Sequence, residues 1–221
     1  MSSSNQAEVK QYTATFTYAS GDLTVAHLSG PLEEMNYDAV HKAYTSSSGG
    51  IPVAHERLLL PVGAHIINGT DSNQRIGNKI HIHEIRLKAI AKNTTNCAPC
   101  VKLSLISDLA VNGKQVISLS DLYEGYDEWG SVVNTIPKIS SVGRFNILKS
   151  SVFEVFNEAT DSCSYLSWDI TTSMDLWYRQ AADNDTAGLF STNSALYILV
   201  SVGSDSKCTL YGTYSILYTD K

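Results

Sequence analysis

A chain of 221 residues with 43% hydrophobic and 17% charged residues has the composition of a globular protein, which argues against disorder and against a fibre. Chains of this length bury roughly 70% of their unfolded surface, enough for one core without staples. The net charge of −6 speaks against a free-standing nucleic-acid binder, and apolar runs such as 58–62 and 196–200 are far too short to cross a bilayer. Met1 to Gln6 shows no basic stretch followed by an apolar one, so no signal peptide is expected.

In chain order, residues 12–18 alternate: Tyr12, Ala14, Phe16 and Tyr18 fall on one face, with Thr13, Thr15 and Thr17 on the other. A period of two predicts a strand. Pro31, with Glu33 and Glu34 just after it, carries favourable helix-start signals, and Leu32, Met35, Ala39 and Ala43 keep roughly helical spacing. The pattern predicts one short helix, ended by the loop Ser46 to Gly50. Residues 58–67 read as a strand with an irregularity at Pro61 and Gly63. A turn at 68–73 follows. Strands are predicted over 79–92, 101–107, 145–156, 165–172, 176–179, 195–202 and 208–219, the last two flanking 203–206 as a hairpin. Twelve Tyr and abundant Thr, Ser and Val suit strands. About eight strands without alternating helices indicate an all-β fold, an antiparallel sandwich or jelly roll.

The strand over 79–92 divides by face. His83, Ile85, Leu87, Ala89 and Ala91 point one way, towards the core, and Glu84, Arg86, Lys88 and Lys92 the other. Between Arg75 and Lys102 lie six basic residues (Arg75, Lys79, Arg86, Lys88, Lys92, Lys102) and one acid, Glu84. Two readings stand side by side: a solvated outer face, or a surface whose Arg and Lys neutralise phosphates. On the second, Arg75, Lys79, Arg86, Lys88 and Lys92 face nucleic acid.

Signals for chemistry are sparse. Cys97 and Cys100 have the spacing of a zinc or redox pair, but a structural zinc site wants a second close pair, and Cys163 and Cys208 are isolated. The expectation is plain thiols and no metal. His81-Ile-His83 resembles the metal pair of cupin barrels, yet the other histidines (27, 41, 55, 65) all precede it. No nucleophile elbow, P-loop or dinucleotide fingerprint occurs. No enzyme and no cofactor are expected. Trp129, Trp168 and Trp177 leave open a carbohydrate- or receptor-binding sandwich that stays a small oligomer. Tyr123, Tyr126 and Trp129 are candidate anchors of a subunit interface, because Tyr and Trp are enriched in hot spots; the competing reading packs that loop on its own domain.

Several segments resemble the capsid proteins of small circular, Rep-encoding single-stranded DNA viruses, the geminivirus-like relatives. Gly69-Thr70 followed by Arg75-Ile76-Gly77-Asn78-Lys79 is similar to their Gly-Thr turn and Arg-(Ile/Val)-Gly-x-(Lys/Arg) element before a strand. Residues 101–108 resemble the strand that ends in an Asp, with Asn112-Gly113 at the turn after it. Gly143-Arg144-Phe145-Asn146-Ile147-Leu148 is similar to the Arg-Phe-x-(Val/Ile)-(Leu/Met) element, and the closing pair, residues 195–202 with 209–218, resembles the terminal hairpin of that family.

That resemblance covers residues 57–221 and implies a single jelly-roll capsid domain there, preceded by an N-terminal extension over 1–56 with a strand and the short helix. It implies self-association into a small icosahedral T=1 shell, a place in the virion, other copies of the chain as partners, and no membrane. Single-stranded DNA is expected as a weak partner. Members of the family begin with a long basic arm, whereas residues 1–56 here hold Lys10 and Lys42 against six acids.

Overall fold

The computed structural model describes residues 8–19, 35–38, 43–46, 57–63, 66–93, 100–109, 122–124, 136–138, 143–154, 163–178, 194–202 and 208–221. They contain twelve strands: β1 (Val9–Ala19), β2 (Met35–Asp38), β3 (Ala43–Ser46), β4 (Arg57–Pro61), β5 (Lys79–Asn93), β6 (Cys100–Asp108), β7 (Tyr123–Glu124), β8 (Ile136–Pro137), β9 (Phe145–Glu154), β10 (Cys163–Trp177), β11 (Ala195–Val202) and β12 (Cys208–Asp220).

Eight strands make two facing antiparallel sheets. One has the order β1-β12-β5-β10; the other runs β4-β11-β6-β9, with β3 and then β2 added outside β4. Along the chain, every step between these eight strands changes sheet except β6 to β9, which pair directly. That wiring is a jelly roll, two interleaved Greek keys. The short β7–β8 ribbon belongs to the β6–β9 connection.

Three sequence expectations need correction. First, Met35–Asp38 and Ala43–Ser46, within the stretch read as a short helix and the loop that ends it, are strands that pair with each other, Met35 opposite Ser46. So short a helix is marginal without packing, and Tyr37, Tyr44 and Thr45 suit the open edge beside β4. Second, β11 and β12 are not a hairpin: β11 pairs with β4 and β6, β12 with β1 and β5. Third, residues 165–172 and 176–179, read as two strands, belong largely to one, β10, with a register shift between Thr171 and Met174. The strand predicted from residue 58 ends at Pro61, just before the positive φ of Gly63.

Residues 9–19, assigned by sequence to the extension, form the edge strand of the four-stranded sheet and pair with β12 from Val9–Thr219 to Ala19–Thr209. The core fills the space between sheets. Ile80, Ile82, Ile85, Leu87, Ala89 and Ala91 of β5 are buried with Leu210, Tyr214 and Ile216 of β12. Across one row, Phe16, Gly212, Ala89 and Leu166 are neighbours. A Cβ on Gly212 would lie 2.1 Å from the Phe16 ring, so the small residue is what lets that ring lie across β12. Hydrogen bonds that cross the sandwich include Trp168 Nε1 donating to Ser151 Oγ (3.2 Å) and the Tyr178 hydroxyl donating to the Gly63 carbonyl (2.8 Å).

Candidate nucleic-acid and subunit-contact surfaces

β5 is the central strand of the predicted basic face, and its phase is set by a bulge. Against β12, Ile82 pairs with Tyr218 and Glu84 with Leu217, so His83 is the extra residue on that side. Against β10 the irregularity lies in the partner, where Thr172 and Ser173 fall between Thr171, opposite Glu84, and Met174, opposite Ile82. Ile80 and Ile82 are buried before it, and Ile85, Leu87, Ala89 and Ala91 after it. A bulge shifts the alternation by one. His83, expected on the core face, therefore stands with the outer set: its Nε2 is 3.0 Å from the Thr219 hydroxyl, and its ring meets that of His81 edge-on at 4.8 Å.

The five predicted basic residues separate into three environments. Arg75 is a correction: it is 8% exposed and braces its own turn. Its Nε donates to the Ile66 carbonyl at 3.1 Å, its Nη1 donates to the Gly77 carbonyl, and the guanidinium lies 4.2 Å from the Tyr178 ring centroid. Burial lowers its pKa, opposed by Tyr178, Asp220 and Tyr218. A buried cation engaged in this way orders the chain and offers nothing to a phosphate. The neighbouring turn is tied to the sheet by Lys10, which reaches Asp220 (2.8 Å) and the Gln74 carbonyl (3.1 Å).

Lys79 and Arg86 belong to a charge-compensated region. Lys79 reaches Asp175 at 2.6 Å and lies 4.6 Å from the Trp177 ring centroid. His81 Nδ1 (2.5 Å) and Lys221 Nζ (3.0 Å) share the same carboxylate. Burial raises the Asp175 pKa, but the hydrogen bonds from Lys79, His81 and Lys221 outweigh it and hold the group well below the usual carboxylate range. Arg86 makes two bonds to Glu84 (2.6 and 3.1 Å) and lies 3.8 Å from Asp169 on β10. Lys88 and Lys92 differ from these: both are exposed, and no ion pair holds either among the described residues.

In the other sheet, the two strands β6 and β11 have no such open face. β6 is buried from Val101 to Asp108 and β11 from Ala195 to Ser201. Alternate residues of a strand point to opposite faces, so unbroken burial means both faces are covered. On the face away from Trp168, the cover includes Tyr123. Its hydroxyl donates to Ser104 Oγ at 2.9 Å, Ser104 meets the Ser150 hydroxyl at 2.9 Å, and Lys102 Nζ lies 4.4 Å from the Tyr123 ring centroid. Tyr123 is 2% exposed. Its reading as an interface anchor is corrected: the side chain packs on its own domain. Tyr126 and Trp129 lie outside the described residues.

Trp168 is 4% exposed and lies in the core, whereas Trp177 is exposed, so these two of the three tryptophans do not form one sugar platform. His81 and His83 lie on the outer face and not inside the sandwich. Among the described residues no three His, Cys, Asp or Glu side chains converge as a metal set. Cys100 and Cys163 are not in disulfides; Cys97 lies outside the described residues.

Residues the sequence reading passed over are Tyr165 and Tyr211. Both are exposed, and both sit opposite Ile90, one on each side of β5. Alternation along residues 163–171 shows that Tyr165 shares a face with Ser167 and Asp169. Nothing in the sequence shows which strands are neighbours.

No family model matches the chain, and no curated protein does. Among solved structures, the chain is similar to one from the full particle of Israeli acute paralysis virus heated to 63 degrees. Identity is 12%, the match covers 96% of this chain and 71% of that one, and the TM-score is 0.38.

Proposed function

We propose that this chain is a viral capsid subunit, a jelly roll that binds copies of itself into a small closed icosahedral shell around a single-stranded DNA genome, with no enzymatic role. The observation that carries the reading is where the capsid-like sequence segments fall. Residues 75–79 lead into β5, residues 101–108 lie in β6, residues 145–148 open β9, and residues 195–202 and 209–218 fall in β11 and β12, which lie in opposite sheets. The signature side chains hold the fold together. Arg75 braces the turn before β5. Arg144 Nε and Nη2 each reach a carboxylate oxygen of Asp108 at 3.3 Å, joining the end of β6 to the start of β9.

A subunit of this kind works by self-association: closed symmetry uses up every interface and leaves none open for further growth. The interfaces draw on strand edges and loops, with Tyr126 and Trp129 as anchors. The virion is its place of action. Dynamic light scattering and electron microscopy of the purified chain test the reading. Uniform hollow spheres are expected. A monodisperse monomer or dimer across a range of salt and pH overturns it.

A further inference from the structure

The outer face of the four-stranded sheet carries a patch that no part of the shell reading uses. Ile90 of β5 is paired with Tyr211 of β12 on one side and Tyr165 of β10 on the other. Tyr165 is 72% exposed and Tyr211 46%. With adjacent strands about 4.8 Å apart, the two tyrosine backbones are about 10 Å from each other. Lys88 and Lys92 lie two residues before and after Ile90, on the same face, each about 7 Å away along the strand. The result is a diamond, with two aromatic rings across the sheet and two cations along it.

Its surroundings fit one kind of ligand. The row through Lys88 holds Thr15, Thr213 and Ser167; the row through Ile90 holds Thr17 and the two tyrosines; the row through Lys92 holds Thr209 and Cys163. None of these is Asp or Glu, so the patch is locally cationic in an acidic chain. Thr13, Thr15, Thr17 and Thr213 are exposed and add hydroxyl donors. The Cys163 thiol donates to the Tyr165 hydroxyl at 3.2 Å, which restrains that side chain. Protein interface cores are depleted in Lys, whereas aromatic faces between cations are what holds unpaired bases and their phosphates. Bases inside a duplex offer no free face for stacking, and aromatics on the open face of a four-stranded sheet are a known means of taking single-stranded bases.

We propose that Tyr165 and Tyr211 are a stacking platform for single-stranded nucleic acid, with Lys88 and Lys92 holding its phosphates; this rests on the shell reading only for the expectation that such a strand is enclosed. The test is a titration of the full chain with fluorescent oligothymidylate of about 16 nucleotides, and in parallel with oligouridylate to separate DNA from RNA. Binding by the parent protein is expected to weaken about tenfold or more for each of Tyr165→Ser and Tyr211→Ser. Tyr165→Phe and Tyr211→Phe should keep it, because the ring face is retained. Lys88→Gln with Lys92→Gln should flatten the logarithmic salt dependence by roughly 1.4.

No binding by the parent, or binding that the Tyr165→Ser/Tyr211→Ser double variant leaves unchanged, overturns the proposal. So does a double variant that loses particle formation while binding oligonucleotide as before, since the patch is then a contact with a second copy. Light scattering on the same samples separates the two readings. Particles without tyrosine-dependent binding sink the platform alone, and tyrosine-dependent binding without particles sinks the shell alone.

Discussion

The two sheets of this sandwich share an architecture and differ in what lies on their outer sides. In the six-stranded sheet, β6 and β11 are buried along nearly their whole length, and Tyr123 seals part of the outer face against Ser104 and Lys102. In the four-stranded sheet, β12 alternates buried and less buried residues over most of its length, and β10 leaves Tyr165, Ser167, Asp169, Thr171, Ser173 and Trp177 exposed. A polar residue on the covered side must be satisfied within the chain, and a change there is felt by the fold. A polar residue on the open side is free for a ligand, and the fold is indifferent to it.

The comparison can be broken at four places. The largest effect is expected from Tyr123→Ala, which opens a cavity over β6 and removes the hydrogen bond to Ser104; a loss of about 3–5 kcal/mol should be seen by urea denaturation. Tyr123→Phe should cost only about 1 kcal/mol. If both variants match the parent, the cover contributes nothing to stability.

Arg144→Met comes next. It leaves the buried Asp108 carboxylate without its two guanidinium contacts, and a loss of roughly 2–3 kcal/mol is expected from the denaturation midpoint. The same substitution should leave oligonucleotide binding per folded molecule unchanged, because the pair lies in the other sheet.

Lys102 sharpens the contrast from the other direction. Burial beneath Tyr123 lowers its pKa from 10.5 to about 8. Between those values the unfolded chain holds a proton that the folded chain has released, so stability rises with pH from about 8 upward. Buried tyrosines act oppositely: burial raises Tyr123, Tyr178 and Tyr218, the last to about 12, and their unfolded forms ionise from about pH 10, which lowers stability there. The gain is thus confined to about pH 8–10. Lys102→Met should stabilise the protein at neutral pH by about 1–3 kcal/mol and erase that rise, as read from urea midpoints at about pH 7 and pH 9.5.

The smallest effect belongs to the open face. Arg86→Ser with Asp169→Ser removes an exposed charge cluster, and exposed ion pairs contribute little. The denaturation midpoint should not move measurably. A clear drop would show that the open face supports the fold after all.

Much of the strand content was readable from alternation. Residues 12–17 and the segment from Ile85 to Ala91 show their more buried faces directly, because a half-buried strand must repeat every two residues. The bulge at His83 was not readable: an inserted residue leaves the composition of both flanks intact and only changes which side each flank faces. The candidate site was legible in part. Lys88 and Lys92 stand out as cations on a strand face, but the same rule swept in Arg75, whose sequence context does not reveal the Ile66 carbonyl and the Tyr178 ring that enclose it.

By itself, the sequence determined the all-β character, the extent of most long strands and the apolar side of β5 beyond its bulge, because these depend on local pattern. Only the tertiary structure decided that β11 and β12 go to opposite sheets, that residues 35–38 and 43–46 complete a sheet edge as strands, that Tyr123 turns inward, and that Tyr165 and Tyr211 meet across Ile90. The physical reason is common to all four. Each is a choice of partner between separate segments, made by hydrogen-bonded edges and buried area, and periodicity within a single segment carries no record of its neighbours.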